Sequence, residues 1–338
     1  MAWEIFINFV DMKGIKEHLW LMAAIAGVAG CLGCGASKSR QEAASTAEGA
    51  PPAAAVAFDR DSAYSYVAAQ VGFGPRVPNT PSHRAACKWL ASELRRHGAE
   101  VIEQPMRLTT FDNTVLDATN IMGRYNTASS ERLLLLAHWD CRPWADEDPD
   151  ESKRSQPVDG ANDGASGVGV LLEIARQLGR ENPAKGVDIL FVDAEDWGTT
   201  GQEDSWALGA QYFAAHPPVE GYSPREAILL DMVGGHDARF YREYFSERAA
   251  GSLNASLWGI ADSLGYGEYF PDRIGTAVTD DHVQLIQAGI PAVDVIEFSP
   301  SGGFNSRWHT SSDNMEGISA ETLGRVGETV MTYIRRNY

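Results

Sequence analysis

Acidic residues and histidines punctuate this chain where hydrophobic runs stop. In order they read HWD (His138, Asp140), GANDGASG (Asp163), DAED (Glu195, Asp196), LLDMVGG (Asp231), TDDH (Asp280, Asp281) and RWHT (His309). An apolar strand that ends on a carboxylate or an imidazole delivers that group to the rim of a sheet. Several such ends brought together make a metal site or an acid/base site. Asp163, Asp196 and His309 form a candidate metal triad, because two carboxylates and one imidazole suit Zn²⁺ with an open fourth position. The three are far apart in sequence, and a strand-end aspartate taken singly is more often a cap or a turn residue; taken with the other motifs, the balance reverses.

Glu195 and Asp196 are adjacent at the end of the apolar run Ile189 to Val192. Neighbours there cannot easily share one role, so one can hold metal while the other faces a substrate. A partly buried carboxyl group tends towards a raised pKa, which suits proton transfer near neutrality. Asp231 follows Ile228-Leu229-Leu230 and, if buried, needs a partner. It is read as either a second metal ligand or a member of a hydrogen-bond network. Asp280 and Asp281 precede an apparent helix over 282–288, so either could also be an N-cap. Phe304 and Trp308 lie in a loop beside His309 and could line a small apolar pocket. Trp197 and Trp206 flank another glycine-bearing loop, and each is open between pocket and packing.

Other chemistries fail on their patterns. GASGVG (Gly164 to Gly169) gives neither G-x-G-x-x-G nor a P-loop, since the lysine is missing. It is no nucleophile elbow, because Val168 stands where a glycine is needed. No HExxH is present. The net charge of −18 argues against a nucleic-acid partner, which demands a basic patch. Part of that charge sits in WADEDPDESK (Trp144 to Lys153), read as a solvated loop that lacks the order and glycine of an EF-hand.

The elements that must position these residues follow from periodicity. Residues 61–71 and 82–96 carry apolar residues at helical spacing; 167–178, 208–215, 252–264 and 320–334 are also predicted helices. Continuous aliphatic runs at 133–137, 187–192 and 227–230 predict strands buried on both faces, with further strands at 101–108, 120–125 and 291–298. Strands alternating with helices predict an α/β fold with a mostly parallel, mixed, twisted central sheet flanked by helices. Ligands of such sheets bind beyond the carboxyl ends of the strands, where His138, Asp140, Glu195, Asp196 and Asp231 are expected.

The 338 residues, 44% hydrophobic, suit one large domain with an appendage. From Met12, lysines, an apolar stretch and small residues lead to Cys31, the order of a signal peptide too short for a comfortable membrane span. Val28-Ala29-Gly30-Cys31 resembles a lipobox, which implies export and membrane attachment through a lipidated Cys31; an ordinary signal peptide or a short anchor is the alternative. Residues 35–57, rich in alanine, serine and proline, read as a tether, giving a leader over 1–34, a linker over 35–57 and a catalytic domain over 58–338. The last two cysteines, Cys87 and Cys141, could pair in an exported protein. The expected state is a monomer.

From about Asp61 onward the series HWD, GANDGASGVGVLLEIAR, FVDAED, LLDMVGG, DDH, GIPAVDVIEFSP and WHT resembles the glutaminyl-peptide cyclotransferases of the animal type and their bacterial relatives. These share a zinc exopeptidase-like fold with the co-catalytic zinc aminopeptidases. The resemblance implies one Zn²⁺ per chain held by Asp163, Asp196 and His309. It implies an acid/base role for Glu195, a hydrogen-bond network through Asp231 and Asp280, and a pocket of Phe304, Trp308 and Trp206. The implied substrates are peptides and proteins with N-terminal glutamine, cyclised to pyroglutamate. Many relatives carry Glu-Glu where this chain has Glu195-Asp196. The aminopeptidases use the equivalents of His138 and Asp231 for a second metal, so a two-metal aminopeptidase is the rival reading.

Overall fold

The computed structural model describes residues 57–299 and 302–338. The leader, Cys31 and all of the tether except its last residue lie outside the described residues. None of the described helices is long and apolar enough to cross a membrane.

Six strands form one mixed sheet in the order β1-β2-β4-β3-β5-β6: β1 (Glu100–Thr109), β2 (Val115–Tyr125), β3 (Arg132–His138), β4 (Gly186–Val192), β5 (Glu226–Asp231) and β6 (Ala292–Ile296). The last four run parallel, while β2 pairs antiparallel with both β4 and β1. Every residue of β3, β4 and β5 is buried, which is why these strands read as unbroken aliphatic runs. The first half of β2 alternates exposed and buried residues, and this half, Val115 to Thr119, lies outside the predicted strand.

Helices cover both faces: α1 (Arg60–Val71), α2 (Pro81–Arg96), α3 (Ala165–Glu181), α4 (Leu208–Ala215), α5 (Tyr244–Ser263), α6 (Asp281–Gln287) and α7 (Ala320–Asn337). The two-residue period of the strands sorts their side chains between two cores. Leu133, Leu135, Ile189, Phe191, Ile228 and Leu230 pack against α1, α2, α3, α5 and α7. Leu134, Leu136, Leu190, Val192 and Leu229 face Ala210 and Phe213 of α4 and Leu285 of α6. Helix α5 begins eight residues before its predicted start, since Glu243 caps it by accepting the N–H groups of Phe245 and Ser246. The backbone leaves helical values at Ala250 (φ −142°), which breaks the period on which the prediction relied.

One close approach sets the geometry of the rim. A Cβ on Gly167 would fall 2.0 Å from the carbonyl oxygen of Leu230, so only glycine lets the first turn of α3 lie against β5. The turn carrying Asp163 is thereby pressed onto the carboxyl ends of β3 and β5. Cys87 and Cys141 are both free thiols, so the disulfide left open by the sequence is not formed.

Candidate active site

His138 and Asp231 are the final residues of β3 and β5, rather than lying past them, and Glu195 and Asp196 follow β4. The buried Asp140 carboxylate accepts the backbone N–H of Glu195 on one oxygen (3.1 Å) and that of Asp196 on the other (3.3 Å). The preceding Ala194 adopts left-handed backbone (φ 55°), as do Met232 after Asp231 (φ 48°) and His309 itself (φ 53°). Such conformations cost free energy in non-glycine residues and gather where function over-determines the backbone. The two adjacent acids diverge as expected: Glu195 lines a cavity of about 460 Å³, while Asp196 lies behind it, 1% exposed.

The predicted triad converges. Asp163, Asp196 and His309 each present a ligating atom within 4.8 Å of the other two. His309 Nε2 lies 3.2 Å from Asp196 Oδ1 and 3.6 Å from Asp163 Oδ2. Neither carboxylate oxygen of Asp196 accepts a hydrogen bond, although the residue is buried. An ionised carboxylate in that position is costly unless a cation satisfies it. Two carboxylates and an imidazole are a donor set that zinc accepts, so the residues present fit the metal. A second group, His138, Asp163 and Asp231, also lies within 4.8 Å, but here His138 Nε2 is hydrogen-bonded to Asp231 (3.2 Å) and lies 2.9 Å from Asp163. Burial opposes charge on His138, yet Asp140, Asp163 and Asp231 together hold its pKa well above the usual value.

Across the cavity the charges crowd. Asp280 takes the cap reading, its Oδ1 accepting the N–H of Asp281 at the start of α6 (2.5 Å), and the residue lines the cavity with Oδ2 making no hydrogen bond. Burial, reinforced by Asp231, pushes the Asp280 carboxyl up to about 7. Burial raises Glu195 well above the ordinary range, with Asp196, Asp280 and Asp281 adding to it against His138. Sequence reasoning missed the residues behind Asp280, namely His282, Asp294 and Glu243, all fully buried. A signal existed for Asp294, a lone acid inside the apolar strand β6.

The pocket aromatics assemble as read from the sequence. Phe304 and Trp308 pack at 4.7 Å between centroids, alongside Met232, Val278, Ile296 and Phe298. Trp308 stacks on the His309 ring (3.7 Å, 22°), and Trp206 lies near-parallel to it at 6.0 Å. Trp206 therefore belongs to the cavity. Trp197 packs against Trp144 and the Met106–Leu116 cluster instead.

The acidic run from Trp144 is solvated over most of its length, as expected, but two of its acids turn inward. Asp148 is 2% exposed and accepts both the N–H and the hydroxyl of Ser311, and Asp146 pairs with the buried Arg142 and faces His309. Asp148 is thus spent on the segment after His309 and Asp146 on Arg142, while Glu147, Asp150 and Glu151 are exposed.

The sequence profile of peptidase family M28 matches residues 120–334. The fold is similar to that of Bacteroides thetaiotaomicron glutaminyl cyclase bound to N-acetylhistamine, with a TM-score of 0.82 and 47% identity over 84% of this chain and 100% of that one. It is similar to a Zn-dependent exopeptidase from Parabacteroides distasonis at a TM-score of 0.83 and 51% identity, over 84% of this chain and 100% of that one. The bovine glutaminyl-peptide cyclotransferase-like protein is 23% identical, over 77% of this chain and 71% of its own length.

Proposed function

The chain belongs to peptidase family M28, and on that premise we propose that it converts N-terminal glutamine of peptides and proteins to pyroglutamate with release of ammonia. The observation that carries the reading is the pairing of a cavity-facing, buried Glu195 with a three-donor cation group beneath a small aromatic pocket. Zinc is the metal of this site, one per chain, with Asp163, Asp196 and His309 as its ligands; when bound it supplies a Lewis acid for the side-chain amide carbonyl.

The chain's own residues account for the remaining steps. The reaction joins the substrate α-nitrogen to its own side-chain carbonyl carbon and breaks the bond from that carbon to the amide nitrogen. Glu195, raised by burial, takes the proton from the attacking amine and returns it to the departing ammonia. Asp231 and Asp280 hold charge and proton positions around Glu195. Phe304, Trp308 and Trp206 shape a cavity that holds the substrate folded for ring closure and limits the entry of water. Pre-paid orientation of this kind can supply effective molarities on the order of 10⁵ M or more.

A two-metal aminopeptidase is the second reading, favoured by one observation, the His138–Asp163–Asp231 group. Ammonium release from a peptide beginning with glutamine separates the two. The domain over 58–338 should release one ammonium per peptide, lose that activity to a chelator and regain it with zinc. Release of free glutamine with no ammonium would replace this reading with the peptidase. The anchoring of the protein in the cell envelope through Cys31 remains part of the proposal and is tested by lipid labelling of wild type against Cys31→Ser.

A further inference from the structure

The acidic loop wraps the segment carrying His309 at several points. Glu147 N–H donates to the His309 carbonyl (3.1 Å), and Asp148 Oδ2 accepts from Ser311 N (2.8 Å) and Oγ (2.6 Å). Asp146 Oδ1 faces His309 Nδ1 at 3.5 Å, on the side of the ring opposite the ligand group. Asp146 is itself held by Arg142, which donates from Nε (3.0 Å) and from a terminal nitrogen (2.6 Å). The other terminal nitrogen of Arg142 donates to the carbonyl oxygens of Asp196 (3.0 Å) and Gly198 (2.9 Å). The guanidinium lies between the rings of Trp144 (4.9 Å) and Trp206 (4.7 Å) and is 2% exposed.

From this geometry we infer that Asp146 and Arg142 form a positioning pair that sets two zinc ligands at once. Asp146 fixes the His309 ring with its proton on Nδ1 and its Nε2 lone pair towards Asp163 and Asp196. Arg142 ties that carboxylate to the backbone of Asp196. A carboxylate facing the distal nitrogen of a ligand histidine fixes the tautomer and raises the basicity of the ligating nitrogen. Trp308 stacks on one face of the His309 ring, and Asp146 adds the in-plane partner that stacking does not supply. The inference rests on the three-ligand site proposed above and not on which reaction runs there.

The test is zinc affinity by chelator competition, together with the visible spectrum of the Co²⁺-substituted protein. Asp146→Asn keeps the shape of the side chain and should weaken zinc binding by about 10–100-fold while shifting the cobalt bands. Asp148→Asn loosens the same loop at Ser311 without touching the ring, and should leave zinc affinity within about threefold and the cobalt bands in place. Unchanged affinity in Asp146→Asn would overturn the pair's role, and so would an equal loss in both variants, which would make the loop a general brace. Wild-type protein that binds no zinc at all would instead remove the site on which the inference stands.

Discussion

The two ends of the same strands treat charge in opposite ways. At the amino end of β3, Arg132 makes two 2.6 Å hydrogen bonds to Asp188 of β4 and spends its other donors on the carbonyls of Tyr125, Asn126 and Ser129. Tyr222 adds a third donor to Asp188 at 2.9 Å. That ion pair is buried and fully satisfied. At the carboxyl end, Asp196, Asp280, Asp281 and Asp294 are equally buried, yet each keeps at least one carboxylate oxygen without a hydrogen bond. Burial drives Asp280, Asp281 and Asp294 above their ordinary pKa. One end is built to hold the strands together, whereas the other leaves carboxylate oxygens without hydrogen-bond donors, a condition that favours binding a cation and moving protons.

The contrast can be broken by substitution. Removing the proton carrier should have the largest effect: Glu195→Gln should lower kcat by about 10²–10⁴-fold with zinc content and Tm preserved, measured by ammonium release and metal analysis. Full activity in that variant would remove Glu195 from the mechanism. At the other end, Arg132→Ala takes two hydrogen bonds from the buried Asp188, leaving it only the Tyr222 hydroxyl and Arg124 at 3.4 Å, and should destabilise the fold by up to about 3–5 kcal/mol in urea melts. The molecules that remain folded should turn over at the wild-type rate.

A smaller effect concerns pH. The folded-state pKa of Asp280, about 7, lies above its ordinary value of 3.8, so the folded protein binds this proton more tightly than the unfolded chain does. Its contribution to stability is therefore complete below about pH 4 and is lost as pH rises towards 7. Asp280→Asn, which carries no titrating proton, should gain stability relative to wild type across that window in the zinc-free protein. A difference that stays flat with pH would contradict the crowding. Smallest of all, Asp281→Asn should change stability by less than about 1 kcal/mol or raise it, since it relieves an acid that has no hydrogen-bond donors. A loss as large as that of Arg132→Ala would mean that the two ends are built alike.

Much of this was legible in the sequence for a physical reason. Strands buried on both faces must be apolar throughout, so the residues that end them stand out, and Glu195, Asp196 and Asp231 were found that way, whereas Asp163 and His309 lie in loops and were read from their own segments, GANDGASG and RWHT. Asp280 was ambiguous between cap and network, and the structure shows the cap, with its other carboxylate oxygen making no hydrogen bond. Asp146 and Arg142 were hidden because a run of acids looks alike whether solvated or bonded; its partners, His309 and Ser311, lie far along the chain. Glu243, His282 and Asp294 were hidden for the same reason, as they meet only once α5, α6 and β6 pack together. The departure Glu195-Asp196 proved compatible with convergence, since the shorter Asp196 still reaches the ligand group.

The most direct test of the central claim is mass spectrometry of two peptides in one tube, one beginning with glutamine and one with leucine, incubated with the zinc-loaded domain and with a chelated control. The expected result is that the glutamine peptide alone loses the mass of ammonia, and only without chelator. Loss of the whole first residue from either peptide would contradict the account and make the carboxyl-end rim a peptidase site.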